Sequence, residues 1–270
     1  MNHRTTSILL VAALVLLGVA GVGCQKLKAR DQLNKGVQAF RGGAYPVAVE
    51  HFKQAVALDP NYPIARSYLA ASYMYQYIPG AESEENLRMA KAAEDEYRKV
   101  LDQDPRNGNA MLAIAQLKFH QKNLDEALDW YKKAIAINPN DKTAYYTIGV
   151  IAWSKAYPAR MTVRAELGMR PEDPGPLKDK KVRDGLREKN LAIIDEGTQA
   201  LEKALGLDPE YDDAMAYMNL LYRERADLED SAAAYGQDIG TANKWIDKTV
   251  ETKRIKAAKT ANTGGITSSQ

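Results

Sequence analysis

Apolar residues in this chain recur at helical rather than strand spacing. Leu124, Ala127, Leu128, Tyr131, Ala134 and Ile135 share one helix face, as do Leu87, Ala90, Ala93, Tyr97 and Leu101. Each run therefore predicts a helix with one buried stripe. Four helical runs end on an acid or amide followed by proline, with similar flanks. The phrases are Leu58-Asp59-Pro60-Asn61-Tyr62, Gln103-Asp104-Pro105-Arg106-Asn107, Ile137-Asn138-Pro139-Asn140-Asp141 and Leu207-Asp208-Pro209-Glu210-Tyr211. A residue before proline is pushed out of the α region, so Asp59, Asp104, Asn138 and Asp208 are predicted to end their helices. Such recurrence marks a stacked-repeat chain, which offers a long surface for holding partners rather than a pocket for chemistry.

Pro105 and Pro139 lie 34 residues apart, and at this period the pattern resembles the tetratricopeptide repeat. That family pairs two antiparallel helices, places small residues where they cross and closes the second helix with proline. Repeat 108–141 matches without gaps through Ala115, Ala127, Tyr131, Ala134 and Pro139, and repeat 29–62 matches through Gly36, Ala48, Phe52, Ala55 and Pro60. Helices approach to about 8–10 Å only over small side chains, which gives these residue types their physical reason. The resemblance implies an all-α fold, a right-handed superhelical solenoid of helix pairs with a C-terminal capping helix. Its repeats would be 29–62, 63–107, 108–141, 142–211 and a partial fifth beginning at 212, within a solenoid ending at 258. Four positions depart from the pattern: Val100, Gly197, Leu201 and Asn219.

Two repeats are interrupted. The second carries 11 extra residues around Tyr75-Gln76-Tyr77-Ile78-Pro79-Gly80-Ala81, and the fourth carries 36 between about 154 and 190. The centre of the larger insert, Pro171-Glu172-Asp173-Pro174-Gly175-Pro176, is expected as loop or extended chain. The basic run Lys178–Arg183 reads as a solvated helix face. Ile239, Ala242, Ile246 and Val250 predict an amphipathic helix over 238–258 that covers the end of the stack. Residues 259–270 are polar and expected to be disordered.

In the family it resembles, a concave groove is lined from the first helix of each repeat. This chain places Leu33, Val37 and Phe40 there in the first repeat, Met74 in the second, Leu112, Gln116 and Phe119 in the third, and Tyr146, Val150 and Trp153 in the fourth. The lysine and asparagine clamp of chaperone-binding members is missing, so a peptide's terminal carboxylate is not the expected ligand. An apolar, aromatic groove suits an amphipathic helix or an extended apolar peptide. The alternative is that the groove is filled by the chain's own insert or C-terminal helix.

Arg4 followed by an apolar run from Ile8 to Gly23 has the layout of a signal peptide over residues 1–23, leaving a short tether, 24–28, before the repeats. Cys24, the one cysteine, follows that run and resembles the lipid-attachment cysteine of bacterial lipoproteins, with Gly21 as a departure from their motif. Gln25 after it resembles an outer-membrane sorting signal. Ordinary cleavage to a soluble periplasmic protein, or retention as an inner-membrane anchor, stays open. Removal of residues 1–23 leaves 36 basic and 35 acidic residues, a formal charge of +1. That balance gives no reason to propose nucleic acid as a partner. Three histidines without ligand spacing, and no nucleophile elbow or phosphate loop, predict no metal, no cofactor, no small-molecule substrate and no catalytic residue. The expected protein is a periplasm-facing, membrane-anchored scaffold that binds one or more envelope proteins, or else a passive spacer.

Overall fold

The computed structural model describes residues 24–264, with side chains as far as 261. The signal-peptide reading of residues 1–23 lies outside these residues, as does the end of the tail. The described chain is helical, with no strand: α1 (24–41), α2 (Tyr45–Leu58), α3 (Pro63–Met74), α4 (Glu84–Gln103), α5 (Gly108–His120), α6 (Leu124–Ile137), α7 (Lys142–Glu166), α8 (Lys180–Leu207), α9 (Asp212–Ala226) and α10 (Ala232–Gly264).

The recurring acid-proline phrases end helices as expected. Asp59, Asp104 and Asp208 leave the α region at the C-termini of α2, α4 and α8, and α6 stops at Ile137, one residue before Asn138. The residue type has its own reason. Each side-chain oxygen accepts the N–H two residues on, from Asn61 (3.3 Å), Arg106 (3.1 Å), Asn140 (3.2 Å) and Glu210 (3.0 Å). Proline stops the helix, and the Asx turn folds the chain into the next one. Asn107 and Asp141 then cap α5 and α7 by accepting from Ala110 (3.0 Å) and Ala144 (2.9 Å).

The helices fall into two units, residues 1–123 and 124–270, the boundary lying between α5 and α6. In the first, α1 crosses α2 at Gly36, where a Cβ would sit 2.5 Å from the Phe52 ring. Phe52, Ala48, Ala55, Ala65 and Leu69 form the core there. Arg66 pairs with Glu96 (2.7 Å) across α3 and α4, and Lys118 with Glu94 (3.0 Å) across α4 and α5. The smaller insert is folded by Asn86, a buried amide that accepts from Ile78 N–H (2.7 Å) and donates to the carbonyls of Ile78 (2.9 Å) and Ala81 (2.7 Å).

In the second unit, α7 and α8 cross where two departures from the repeat compensate each other. A Cβ on Gly149 would lie 2.4 Å from Leu201 Cγ, and one on Gly197 would lie 2.3 Å from the Ala152 methyl. Leu201 takes the space that an aromatic fills elsewhere, and Gly197 lets the backbones close over it. Asn219, the third departure, donates to the Ala242 carbonyl (2.7 Å) and ties α9 to α10.

The large insert adds more helix than loop. α7 continues through Pro158 to Glu166 and α8 starts at Lys180, so the non-helical part is 167–179 and includes Pro171–Pro176. Its anchor is an ionic cluster. Arg164, 2% exposed, donates from Nη1 to both oxygens of Asp227 (2.9 and 2.7 Å) and from Nη2 to the carbonyls of Arg170 and Asp173. Arg160 bridges Glu224 (2.7 Å) and Asp227 (2.9 Å), and the Leu177 N–H donates to the Asp227 carbonyl (3.1 Å). The solvated reading of Lys178–Arg183 is corrected at Arg183. Its guanidinium is buried, donating to the Leu177 carbonyl (2.9 Å) because the insert folds back over the start of α8.

The C-terminal helix is longer than expected. α10 begins before 238 and runs through Gly264, so residues 259–264 are helical rather than disordered. Lys256 and Lys259 hold this end to Asp212 and Glu210, and alanine-rich sequence there favours helix.

Glu224 gives this unit a pH dependence. Burial pushes its carboxyl up to about 7, against the pull of Arg160, while Asp227 adds to the rise and the Trp153 indole opposes it. The indole N–H turns towards Glu224 without closing a full hydrogen bond. A carboxyl raised in the folded state favours folding while protonated, and that advantage is lost as pH climbs from the unfolded value of 4.5 through about 7. Stability should therefore fall by about 2–3 kcal/mol between about pH 5 and about pH 8. In Glu224→Gln that slope should flatten in urea titrations; an unchanged slope would assign it elsewhere.

Candidate functional site

The expected groove residues fall into three environments. Leu33 is core, 8% exposed, and Val37 packs against the same α1–α2 cluster. Val150 is likewise buried in α7. Phe40 is covered by its own neighbours, with Tyr45 and Tyr75 each 5.3 Å away and Tyr68 at 5.7 Å, centroid to centroid. In the second unit Tyr146 packs against Tyr211 (5.1 Å) and Tyr217 (5.5 Å), while Trp153 stacks on Tyr157 (4.9 Å) and meets Tyr217 edge-on (5.8 Å). These aromatics largely satisfy one another through α9.

Met74, Leu112 and Gln116 are different. They line an open cleft of about 440 Å³ in the first unit, together with Tyr75, Tyr77, Pro79, Tyr97, Asn109, Ala113 and His120. Phe119 is half-buried beside this wall, its ring 6.1 Å from that of His120. One wall is a face of α5, where residues 109, 112, 113, 116 and 120 recur at helical spacing. The floor is Tyr97 of α4, 8% exposed. The opposite wall is the smaller insert, held in place by Asn86.

The cleft is uncharged. None of its ten lining residues is Asp, Glu, Lys or Arg. Burial, with Lys122 nearby, holds the His120 pKa below its usual value, so the ring is neutral at pH 7. Burial pushes the Tyr97 hydroxyl up to about 12, with Tyr75 adding a little, so it stays protonated and able to donate. Sequence reading found the α5 side and Met74 but missed the insert's tyrosines and Pro79. The available signal was their density: Tyr75 and Tyr77 alternate beside a proline in a segment foreign to the repeat, just after Tyr73 of α3.

No group of three or more His, Cys, Asp or Glu among the described residues could hold a metal ion. No described helix is long and apolar enough to cross a membrane. Cys24 is exposed, at the first described position of α1.

Residues 88–148 match the family model of the tetratricopeptide repeat. Among solved structures, MamA (residue 41 to the end) from Desulfovibrio magneticus RS-1 superposes with a TM-score of 0.57 at 18% identity, covering 84% of this chain and 96% of that one. YrrB, described as a TPR protein with an unusual peptide-binding site, gives 0.54 at 16% identity, covering 84% and 90%. The chain is a tetratricopeptide-repeat protein. Its fold is the all-α helix-pair superhelix of that family, and at these identities the structural likeness speaks for the fold alone. Sperm-associated antigen 1 of Mus musculus is 28% identical over 123 residues, which is 46% of this tetratricopeptide-repeat chain but 12% of that protein.

Proposed function

We propose that this tetratricopeptide-repeat chain is a scaffold of the bacterial cell envelope, tethered through lipid on Cys24 to the outer membrane and holding partner proteins on its periplasmic side. The observation that carries the holding role is the cleft of the first unit. It is open, walled by apolar and aromatic side chains, and free of ionised groups. Such a surface rewards a partner's apolar residues with dehydration and asks for no counter-charge. The tether rests on sequence: the lone cysteine follows an apolar run, and Cys24 is exposed at the first described position of α1. Several acyl chains at about 0.8 kcal/mol per buried methylene would hold it to the membrane. In the second unit the aromatics pack on one another, which suits a structural role there, so docking is assigned to the first unit.

Two experiments test this. In cells fed a labelled fatty acid, the wild-type chain should take up label and partition with outer membranes, whereas Cys24→Ala should lose both. Label retained by Cys24→Ala would overturn the anchor. Phe119→p-benzoylphenylalanine, beside the cleft wall, photolysed in intact envelopes, should give a recurrent intermolecular adduct. Intramolecular adducts alone would leave a spacer as the surviving reading.

A further inference from the structure

The composition of the cleft narrows its partner. We propose that it takes a proline-rich, uncharged segment of the partner protein, bound in the polyproline II conformation. This deepens the scaffold reading and rests on it.

Three observations converge. The first is charge: with no ionised side chain in the lining, an acidic or basic segment would leave its water without a compensating partner. The second is the kind of surface. Tyr75, Tyr77 and Tyr97 line the cleft beside Met74 and Pro79. Tyr75, 63% exposed, offers a flat apolar ring face to a pyrrolidine ring, while Tyr77 and Tyr97 are buried into the floor and edge, and such aromatic lining is how grooves read polyproline. A polyproline segment makes no internal hydrogen bonds and has no N–H at its prolines, so its carbonyls need donors from outside.

The third is spacing. Asn109 and Gln116 lie seven residues apart on α5, both exposed and both lining the cleft. Seven residues of α-helix rise about 10.5 Å. One turn of polyproline II, three residues, rises about 9.3 Å and returns the same face to the wall. The two amides can therefore donate to carbonyls one turn apart on the ligand. A β-strand presents one face every two residues, about 6.6 Å, and falls out of step. An α-helical ligand keeps its carbonyls for itself. Among the described residues, the side chains of Asn109 and Gln116 make no hydrogen bond within the protein, so both amides are available.

The test is fluorescence anisotropy of a decaproline peptide bearing one neutral fluorophore, titrated with the full chain in detergent. Saturable binding is expected, unchanged between about 50 and about 500 mM salt because no ion pair is made. Asn109→Ala with Gln116→Ala should weaken it about tenfold, from two lost donors. Both side chains are exposed, so the melting temperature of the double variant should match wild type. Absence of saturable decaproline binding, or binding undiminished in the double variant, would overturn the proposal. So would tighter binding of an acidic peptide at the same cleft. Tighter binding of an amphipathic helical peptide there would overturn the polyproline assignment while leaving the scaffold reading intact. Absence of intermolecular adducts from position 119 would strike the scaffold reading itself.

Discussion

Arg164→Met should destabilise the second unit by about 3–5 kcal/mol, because it strands a carboxylate that folding has taken out of water. Arg164 and Asp227 are each about 2% exposed at their side chains, and the guanidinium reaches both carboxylate oxygens. Removing the cation leaves Asp227 with Arg160, which already serves Glu224. The carbonyls of Arg170 and Asp173 lose their donor in the same step. Thermal unfolding measures the global cost. Limited proteolysis adds a local signature, since the loop 167–179 should become the first site of cleavage. In Arg164→Met/Asp227→Asn the stranded charge is gone, and part of the loss, about 1–2 kcal/mol, should return. A double variant as unstable as the single one would mean that the arginine matters through packing rather than charge.

Gly149→Leu should cost about 2–3 kcal/mol and lower the melting temperature by about 5–10 °C. The hypothetical Cβ meets Leu201 at Cγ, close to that side chain's root, where rotation gives little relief. Leu201 is fully buried. The leucine's better helix propensity, about 1 kcal/mol over glycine, offsets only part of the clash. Gly185→Ala in α8 is the control: nothing lies within 4 Å of its Cβ, so it should stabilise slightly. Gly149→Leu combined with Leu201→Ala should recover stability by returning the lost volume. An unchanged melting temperature in Gly149→Leu alone would contradict the α7–α8 crossing.

These two sites differ in how readable they are from sequence. Gly149 and Gly36 occupy equivalent places in their repeats, and each meets a large residue at an equivalent place in the partner helix, Leu201 or Phe52. A 34-residue period exposes such pairs, because the repeat register alone sets glycine and large residue opposite each other. Helix ends were readable for a related reason, since proline and the Asx turn act within four residues. The Arg164–Asp227 pair spans 63 positions and has no repeat counterpart. Its one trace is that Arg160 and Arg164 continue the stripe of Gly149, Ala152 and Ala156 on α7, placing charge where burial was due.

The cleft falls between these cases. Leu112 and Gln116 were found because α5 follows the repeat without interruption. Tyr75, Tyr77 and Pro79 were not, because only Asn86, folding the insert back on itself, gives them a wall to form. The same long-range effect governs the large insert. Its prolines announce a loop, yet docking on Asp227 lets α7 run on through Pro158.

Each joint between repeats is closed by contacts among four consecutive residues, the Asx side chain bonding two positions ahead across its proline. A joint of that kind carries most of its own instructions, the neighbouring helices adding Arg66 and Gln103 as donors to the Pro60 carbonyl and Lys142 as a partner to Asp208. Excising residues 105–138 would splice Asp104 to Pro139 and regenerate the phrase Asp-Pro-Asn intact. The chain can thus gain or shed a whole cassette at any of four seams without inventing a new corner. Lineages can lengthen the platform by copying text rather than by redesigning it.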